Sequence, residues 1–562
     1  MLKKPPFTKI TSTILLIIST FSIITTFYLI LTNLSFMMEF EILSLKSSSF
    51  YLTILIDWMS MFFFSFILII SSSVITFSSM YMYHDELIKR FIILILLFIL
   101  SMCCLVFSLN LISILIGWDG LGITSFILVA YYQNNKSNAA SLITALTNRI
   151  GDSLIILSIA LFMFNSSWNF MLSPMNNNLL MFLIILAAMT KSAQMPFSAW
   201  LPASMAAPTP VSALVHSSTL VTAGIYLMIR FNPMIMNSKL HTFILLIGLL
   251  TCFMASLSAC FETDLKKTIA LSTLSQLGIM TATLSLGLPS LAFFHLMTHA
   301  TFKSLLFLAA GKIINEVNHS QDFRSMGSLL FNLPYTSTIL NTTNMALSGI
   351  PFLSGFYSKH LLFNSYLMND ISFTILSLFF LAIGLTSSYS MRLTLSSIIN
   401  DNMKSPLSKS SEDLTSLMSM MLLLSLSVTS GSFISWMIIL NPPFSISHTF
   451  LSLSSTLLLL LGILLGFILS TKHSSPQYLS YHKMFMNMWF LPYISSKFML
   501  KPTLLLSSNF KIMEHGWTEY LEGQGSWKSA MNLSFILTKF QIHSIKTFIL
   551  IMWLITMMTI LL

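Results

Sequence analysis

The 562-residue chain is 55% hydrophobic and only 8% charged, with a mean hydropathy of +0.83. Soluble domains carry roughly 25% charged residues, so this composition excludes an ordinary water-soluble enzyme and reads as a polytopic membrane protein. The net charge of +10 is not a nucleic-acid signature, because no basic patch with interleaved aromatics occurs and the lysines fall mostly between apolar runs. The four cysteines, Cys103, Cys104, Cys252 and Cys260, lie inside apolar runs in no metal or disulfide pattern and read as structural.

A membrane span needs about 20 apolar residues. The first run, 10–32, follows MLKKPPFTK. It is too long for a signal-peptide core and lacks a small-residue cleavage site, so it is expected to be retained. Further spans are expected at 57–79, 91–109, 111–131, 148–165, 179–200, 208–230, 241–260, 265–285, 291–314, 336–366, 371–396, 415–440, 447–470 and 545–562, fifteen in all. The expected class is therefore all-α. Basic residues divide unevenly between the two sides of this pattern. Thirteen (Lys3, Lys4, Lys9, Lys89, Arg90, Lys136, Lys266, Lys267, Lys312, Arg324, Arg392, Lys404 and Lys409) fall on the N-terminal side, against three (Lys46, Arg230 and Lys239) on the other. The positive-inside rule then puts the N-terminus and 471–544 inside and the C-terminus outside. The segment 471–544 is too polar to span and too long for an ordinary loop. It still carries Met, Phe and Trp throughout, which fits an amphipathic helix along the membrane surface, interrupted near Gly516, Gly523 and Gly525.

An ionisable group at the bilayer centre costs at least ~2.5–3.5 kcal/mol and is a functional hypothesis by default. Lys191 ends an apolar run and is followed by Pro196, Pro202, Pro208 and Pro210. Proline breaks a helix, and in lipid such a break is tolerated only where it is buried in protein or lines a cavity. His216 follows in the next apolar run. Asp119, in LIGWDGLG, needs a cation, and Lys191 is the natural candidate. Arg149 and Asp152 share a helix face, and either neutralise each other or support the path. His295, His299 and Lys303 are spaced i, i+4, i+8 and line one face over roughly 12 Å, the pattern of a proton relay. Lys359 follows Gly349, Pro351 and Gly355, a second lysine beside a breakable helix. Two such sites in corresponding halves predict two inverted five-helix repeats. The chain then divides into N-terminal helices (1–90), two half-channel repeats (91–230 and 231–396), C-terminal helices (397–470), the lateral helix (471–544) and a last anchor (545–562).

Burial disfavours an ammonium and a nearby carboxylate favours it. Motion of Asp119 toward or away from Lys191 would therefore load or unload a proton. Moving one charge against ~100 mV costs ~2.3 kcal/mol. No Walker loop, dinucleotide fingerprint, haem or iron–sulfur pattern is present, so the driver is expected to be another subunit or an ion gradient.

GWDGLG, NRIGD, KSAQMPFSAWLPASMAAPTPVSALVHSSTLVTAGIYLMIRF, DLKK, ALSTLSQLG, FHLMTHATFKSLLF, GIPFLSGFYSK and GWTEY resemble the chain 5 family of mitochondrial NADH–ubiquinone oxidoreductase, respiratory complex I. These are antiporter-like subunits related to multisubunit cation/proton antiporters. The resemblance implies a proton-pumping subunit of the membrane arm, in the mitochondrial inner membrane, with its N-terminus on the matrix side and its C-terminus on the intermembrane-space side. It implies broken helices in inverted repeats, and a long matrix-side helix that contacts neighbouring antiporter-like chains before the last span. By motif, Asp119 and Lys191 match the family's ion pair, His216, His299 and Lys303 its central relay, and Lys359 its terminal lysine. NADH, FMN, iron–sulfur clusters and ubiquinone are expected in other subunits, and none in this chain. Lipids and other membrane-arm subunits are the expected partners, with no nucleic acid. Two departures stand out: many relatives carry Glu where Asp119 stands, and many have sixteen spans. The competing readings are an ion-gradient-driven Na⁺/H⁺ antiporter subunit and a structural clamp with vestigial charges.

Overall fold

The computed structural model describes residues 7–44, 49–163, 168–169, 177–317, 319–369, 372–400, 412–438, 449–471, 479–542 and 545–561. Lys3, Lys4, Lys46, Lys404, Lys409 and Leu562, on which part of the expected topology rests, lie outside the described residues. The chain divides into two units, Met1–Trp489 and Phe490–Leu562.

In the first unit, α1 (Phe7–Thr32) leads into a hairpin of β1 (Phe36–Ser44) and β2 (Ser49–Ile56). Then come α2 (Trp58–Tyr81), α3 (Ile88–Phe107), α4 (Leu111–Val129), α5 (Asn135–Phe162) and α6 (Asn178–Lys191). After α6 the chain runs in short pieces: a 3-10 turn Phe197–Ala199, α7 (Trp200–Ala203), a 3-10 turn Ser204–Ala206 and α8 (Thr209–Val211). It then winds as a π-helix, Ser212–Thr219, into α9 (Leu220–Arg230). Next are α10 (Asn232–Asn237), α11 (His241–Phe261), α12 (Leu265–Ser285), α13 (Pro289–Glu316), α14 (Leu329–Asn332), α15 (Pro334–Ser348), α16 (Ser354–Met368), α17 (Phe373–Thr394), α18 (Leu414–Ile438), α19 (Thr449–Thr471) and α20 (Leu479–Met486). The second unit holds α21 (Leu491–Ile512), a π-helical stretch Met513–Gly523, α22 (Gln524–Ile542) and α23 (Ile545–Leu561).

Among the described residues every one of the fifteen expected segments overlaps helix, and eleven helices are long and apolar enough to cross a membrane. The other four segments depart for identifiable reasons. The helix expected over 179–200 stops at Lys191, because the prolines begin there. The segment 336–366 is two helices, separated where Gly349 adopts φ +90° and caps α15. The last segment, α23, has only 17 residues. The fourth, α12, is rich in Ser and Thr yet buried along nearly its whole length. It has no lipid face to satisfy, so polar side chains are tolerated in it. Helix α5 begins thirteen residues before the expected span: the backbone N–H of Asn134 donates to Ser137 Oγ at 2.9 Å, and this cap starts a polar first turn.

The expectation of an all-α chain is corrected by the antiparallel hairpin, paired from Phe36↔Ile56 to Ser44↔Ser49 with a register shift at Glu41–Leu43. Its strands read as alternating segments too short to span. The most enclosed elements are α13 and the run Thr209–Arg230, whose apolar windows are entirely buried. Helix α2 opens on a capping box, in which Ser60 N donates to Asp57 Oδ1 at 2.9 Å and Asp57 N to Ser60 Oγ at 3.0 Å. The Arg230 guanidinium closes this core at one end, gripping Asp57 at 2.5 and 2.8 Å and the Tyr226 hydroxyl at 2.6 Å.

Candidate functional site

Lys191 is completely buried at the last position of α6. Its ammonium donates to the backbone carbonyl of Trp118 in α4 at 3.1 Å and lies 4.9 Å from the Trp118 ring centroid. A cation over an indole face gains about 0.5–2 kcal/mol. Gly122, one turn beyond Trp118, leaves room for the ammonium: a Cβ there would sit 3.8 Å from Nζ. Gly224 in α9 is required by a closer approach. A Cβ on it would lie 2.5 Å from the Ala188 carbonyl oxygen and 3.0 Å from the Ser192 N, so the α9 backbone rests against the end of α6.

The acidic partner differs from the expected one. Asp119 forms its ion pair with Arg149, at 3.6 Å, and Arg149 also meets Asp152 at 3.3 Å. No ion pair within 4.0 Å joins Asp119 to Lys191 among the described residues. Both carboxylates still act on the lysine electrostatically, Asp152 more strongly than Asp119. The reason is geometric. The short Asp119 side chain is one-third exposed and turns toward α5, whereas Asp152 points inward and is buried. Arg149 and Asp152 share a face, as their spacing implied, and Arg149 is 59% exposed midway along a bilayer-length helix.

Beyond Lys191, Trp200 touches two parts of the site. Its indole N–H donates to the Thr190 carbonyl at 3.0 Å, and its ring stands 6.2 Å from that of His216. His216 lies on the π-helix, a rare form often found at functional positions, and neither of its ring nitrogens has a protein hydrogen-bond partner. The His295–His299–Lys303 stripe runs along α13, every member fully buried. The Nδ1 of His295 meets Ser358 Oγ at 2.9 Å, and its Nε2 meets Gln276 Oε1 at 3.3 Å. The rings of His295 and His299 are 6.4 Å apart. Lys303 donates to Ser272 Oγ at 2.5 Å. The charge of Lys359 reaches His295, His299 and Lys303 alike, whereas among the described residues His216 has neither an ion-pair nor a hydrogen-bond partner. The structure therefore brings the stripe and Lys359 together as one electrostatic cluster, and Asp119, Arg149, Asp152 and Lys191 as another, with His216 standing alone.

Lys359 lies in the second turn of α16 and reaches back to donate to the Leu347 carbonyl, at the end of α15. This favours the cation, because the C-terminal end of a helix carries partial negative charge. Gly349 serves twice here: its φ of +90° ends α15, and a Cβ on it would press on the lysine stem at 3.4 Å. A cavity of about 40 Å³ adjoins Lys359, lined by Ser348, Gly349, His360 and Phe363 among others. Among the described residues no group of three or more His, Cys, Asp or Glu could hold a metal ion.

Sequence reasoning missed the uncharged members, Trp118, Trp200, Ser272, Gln276 and Ser358, because nothing in their spacing distinguishes them from packing. It also missed Lys266, which its position between apolar runs marks as a loop lysine but which is buried. At the same helix end, burial pushes the Glu262 carboxyl up, opposed by Lys267.

Three family descriptions cover most of the chain. Residues 43–92 match the N-terminus of complex I NADH–ubiquinone oxidoreductase chain 5, 108–386 the membrane domain of NADH:quinone oxidoreductases and Mrp antiporters, and 389–562 the C-terminus of NADH dehydrogenase subunit 5. NADH–ubiquinone oxidoreductase chain 5 of Anopheles gambiae is 46% identical over 534 residues, which is 93% of this chain and 92% of the relative. That of Aedes aegypti is 45% identical over 564 residues, 98% of this chain and 97% of the relative. Among solved structures, the Mrp complex of Dietzia sp. DQ12-45-1b aligns with a TM-score of 0.74 at 22% identity. It covers 95% of this chain, which spans 63% of that longer one. An archaeal membrane-bound sulfane sulfur reductase aligns at 0.65 and 20% identity. With relatives this similar over nearly its whole length, the chain belongs to the chain 5 family of NADH–ubiquinone oxidoreductase.

Proposed function

We propose that this chain is a proton-translocating subunit of the membrane arm of respiratory complex I, in the mitochondrial inner membrane. The observation that carries the reading is the set of buried titratable side chains on adjacent helices, Lys191, His216, His295, His299 and Lys303, with the half-buried Lys359 beside them. Each ionisable group held in the bilayer costs several kcal/mol, yet Lys191 is kept at a helix end, His216 on a π-helix and the other three buried groups along the interior of α13. Asp119, Arg149 and Asp152 set the charge around Lys191. The His295–His299–Lys303 stripe carries the proton along α13, and Lys359 is the last site before release.

The same reading extends to organisation. Of fifteen spans, ten would form two inverted five-helix repeats, 91–230 and 231–396, each with one lysine beside a helix break, Lys191 in the first and Lys359 in the second. The N-terminus would face the matrix and the C-terminus the intermembrane space. The long exposed helices of the second unit would lie laterally against neighbouring antiporter-like subunits. The outward-facing Arg149, at 59% exposure in a bilayer-length helix, supports a neighbour on the α5 side as well. NADH, FMN, iron–sulfur clusters and ubiquinone are assigned to other subunits, and this chain's residues hold and move protons only.

The test is proton translocation per NADH oxidised by assembled complexes in sealed vesicles. Lys191→Ala is expected to abolish this subunit's share while leaving the complex assembled. Wild-type stoichiometry in that variant would leave the chain a structural clamp, and a sodium requirement for pumping would favour an antiporter function.

A further inference from the structure

The two lysines that open α12 behave in opposite ways. Lys267 is 44% exposed and pairs with Asp264 at 2.7 Å, as a loop lysine should. Lys266, its neighbour, is 5% exposed and turns inward. Its ammonium donates to the Ala207 carbonyl at 3.4 Å, and among the described residues no acidic group pairs with it. It also sits in the first turn of a helix, where the partial positive charge of the helix end opposes a cation.

Ala207 closes the 3-10 turn in the broken stretch between α6 and the π-helix. That stretch and the π-helix after it hold a run of buried polar atoms without protein partners: Gln194 Nε2, Ser198 Oγ, Thr209 Oγ1 and both nitrogens of His216. Well over nine in ten buried polar groups are hydrogen-bonded to protein or water. Such exceptions occur elsewhere in the molecule as well, but here five atoms fall between Gln194 and His216, and a run of this kind marks a polar passage able to admit water. Thr209 abuts Gly311 of α13, where a Cβ would lie 2.6 Å from its hydroxyl, so the passage runs beside the helix that carries the histidine stripe.

We propose that Lys266 is the uptake site that delivers protons from the exposed end of α12, past Ser198 and Thr209, to His216. This rests on the proton-translocating reading above. In each cycle an N–H bond of the Lys266 ammonium breaks and an N–H bond forms on the His216 imidazole, with hydroxyls and water handing the proton on. The neutral amine takes its replacement from solvent beside Lys267. This route supplies His216, whose ring nitrogens bond no group of the two other clusters.

The competing role is a tether, in which Lys266 merely caps the Ala207 carbonyl. Arginine separates the two, since it donates to a carbonyl but stays protonated in proteins. The experiment measures the proton-pumping rate of assembled complexes carrying Lys266→Arg, Thr209→Val, Lys267→Gln or Lys191→Arg, with assembly checked on native gels. Lys266→Arg and Thr209→Val are each expected to slow pumping about tenfold or more, and Lys267→Gln to leave it unchanged. Wild-type pumping in Lys266→Arg overturns the proposal. If that variant does not assemble, Thr209→Val decides alone, because it removes one hydroxyl with almost no change of volume, and wild-type pumping then overturns the proposal equally. Lys191→Arg tells the two levels apart. If it blocks pumping while Lys266→Arg does not, only the uptake route fails. If neither matters, the proton-translocating reading fails with it.

Discussion

A single methyl group at Gly224 tests whether the placement of Lys191 matters. In Gly224→Ala the new Cβ would lie 2.5 Å from the Ala188 carbonyl oxygen and 3.0 Å from the Ser192 N. Both obstacles are backbone atoms, so no side-chain rotation relieves them. Restoring the 3.4 Å at which ordinary contact begins requires α9 and α6 to separate by about 0.9 Å. Such overpacking costs roughly 1–3 kcal/mol, which a large bundle absorbs without unfolding. The displacement falls on the residues flanking Lys191, which rides on the same turn. A positioned group moved by 1 Å loses on the order of 100-fold in rate. Assembled Gly224→Ala complexes should therefore pump protons some 10- to 100-fold more slowly while their abundance falls far less. Gly122→Ala is the control, because its methyl would meet the ammonium at an ordinary 3.8 Å and should be tolerated. Wild-type pumping per NADH in assembled Gly224→Ala complexes would refute the argument that the α6 end holds Lys191 in register.

The remaining predictions concern the charges themselves. Asp152→Asn should impair proton translocation more than Asp119→Asn, because Asp152 is buried and acts more strongly on Lys191; an equal or reversed order in reconstituted complexes would contradict the geometry. Asp119→Glu should be tolerated, since the carboxylate retains Arg149 within reach. Lys359→Arg should be damaged as severely as Lys359→Ala in pumping assays, because arginine cannot release its proton; a wild-type rate would remove Lys359 as a carrier. Asp57→Asn should destabilise the bundle by about 3–5 kcal/mol by stranding the buried Arg230 guanidinium, seen as a lower thermal midpoint of the solubilised complex.

The helices were legible because lipid imposes a simple rule, long apolar runs ended by proline, glycine or charge. The rule weakened where burial inside protein replaced lipid. Helix α12 coincides with the expected 265–285, but its many Ser and Thr residues are almost all enclosed by protein and it presents little apolar surface to lipid. Lys266 counted as a loop charge because sequence position does not reveal that a side chain turns inward. The histidine stripe was legible because i, i+4, i+8 spacing needs only one helix. The partner of Asp119 was not, because choosing between Arg149 and Lys191 requires knowing how α4 and α5 rotate against each other. The hairpin at 36–56 escaped because its alternation is short and its strand β1 is exposed on every residue.

The second unit has a consequence for the life of the polypeptide in the cell. From Leu491 onward no described residue is buried, and Trp517, Tyr520, Leu521, Trp527, Phe535 and Trp553 are all more than 60% exposed. A contiguous apolar surface of this kind is an aggregation hazard and a recognition mark for chaperones and proteases. Lipid would cover the anchor 545–562, and the rest of that surface would need neighbouring subunits. Copies left bare are expected to be degraded rather than stored, so limiting an assembly partner should lower the steady-state amount of this chain in pulse-chase labelling.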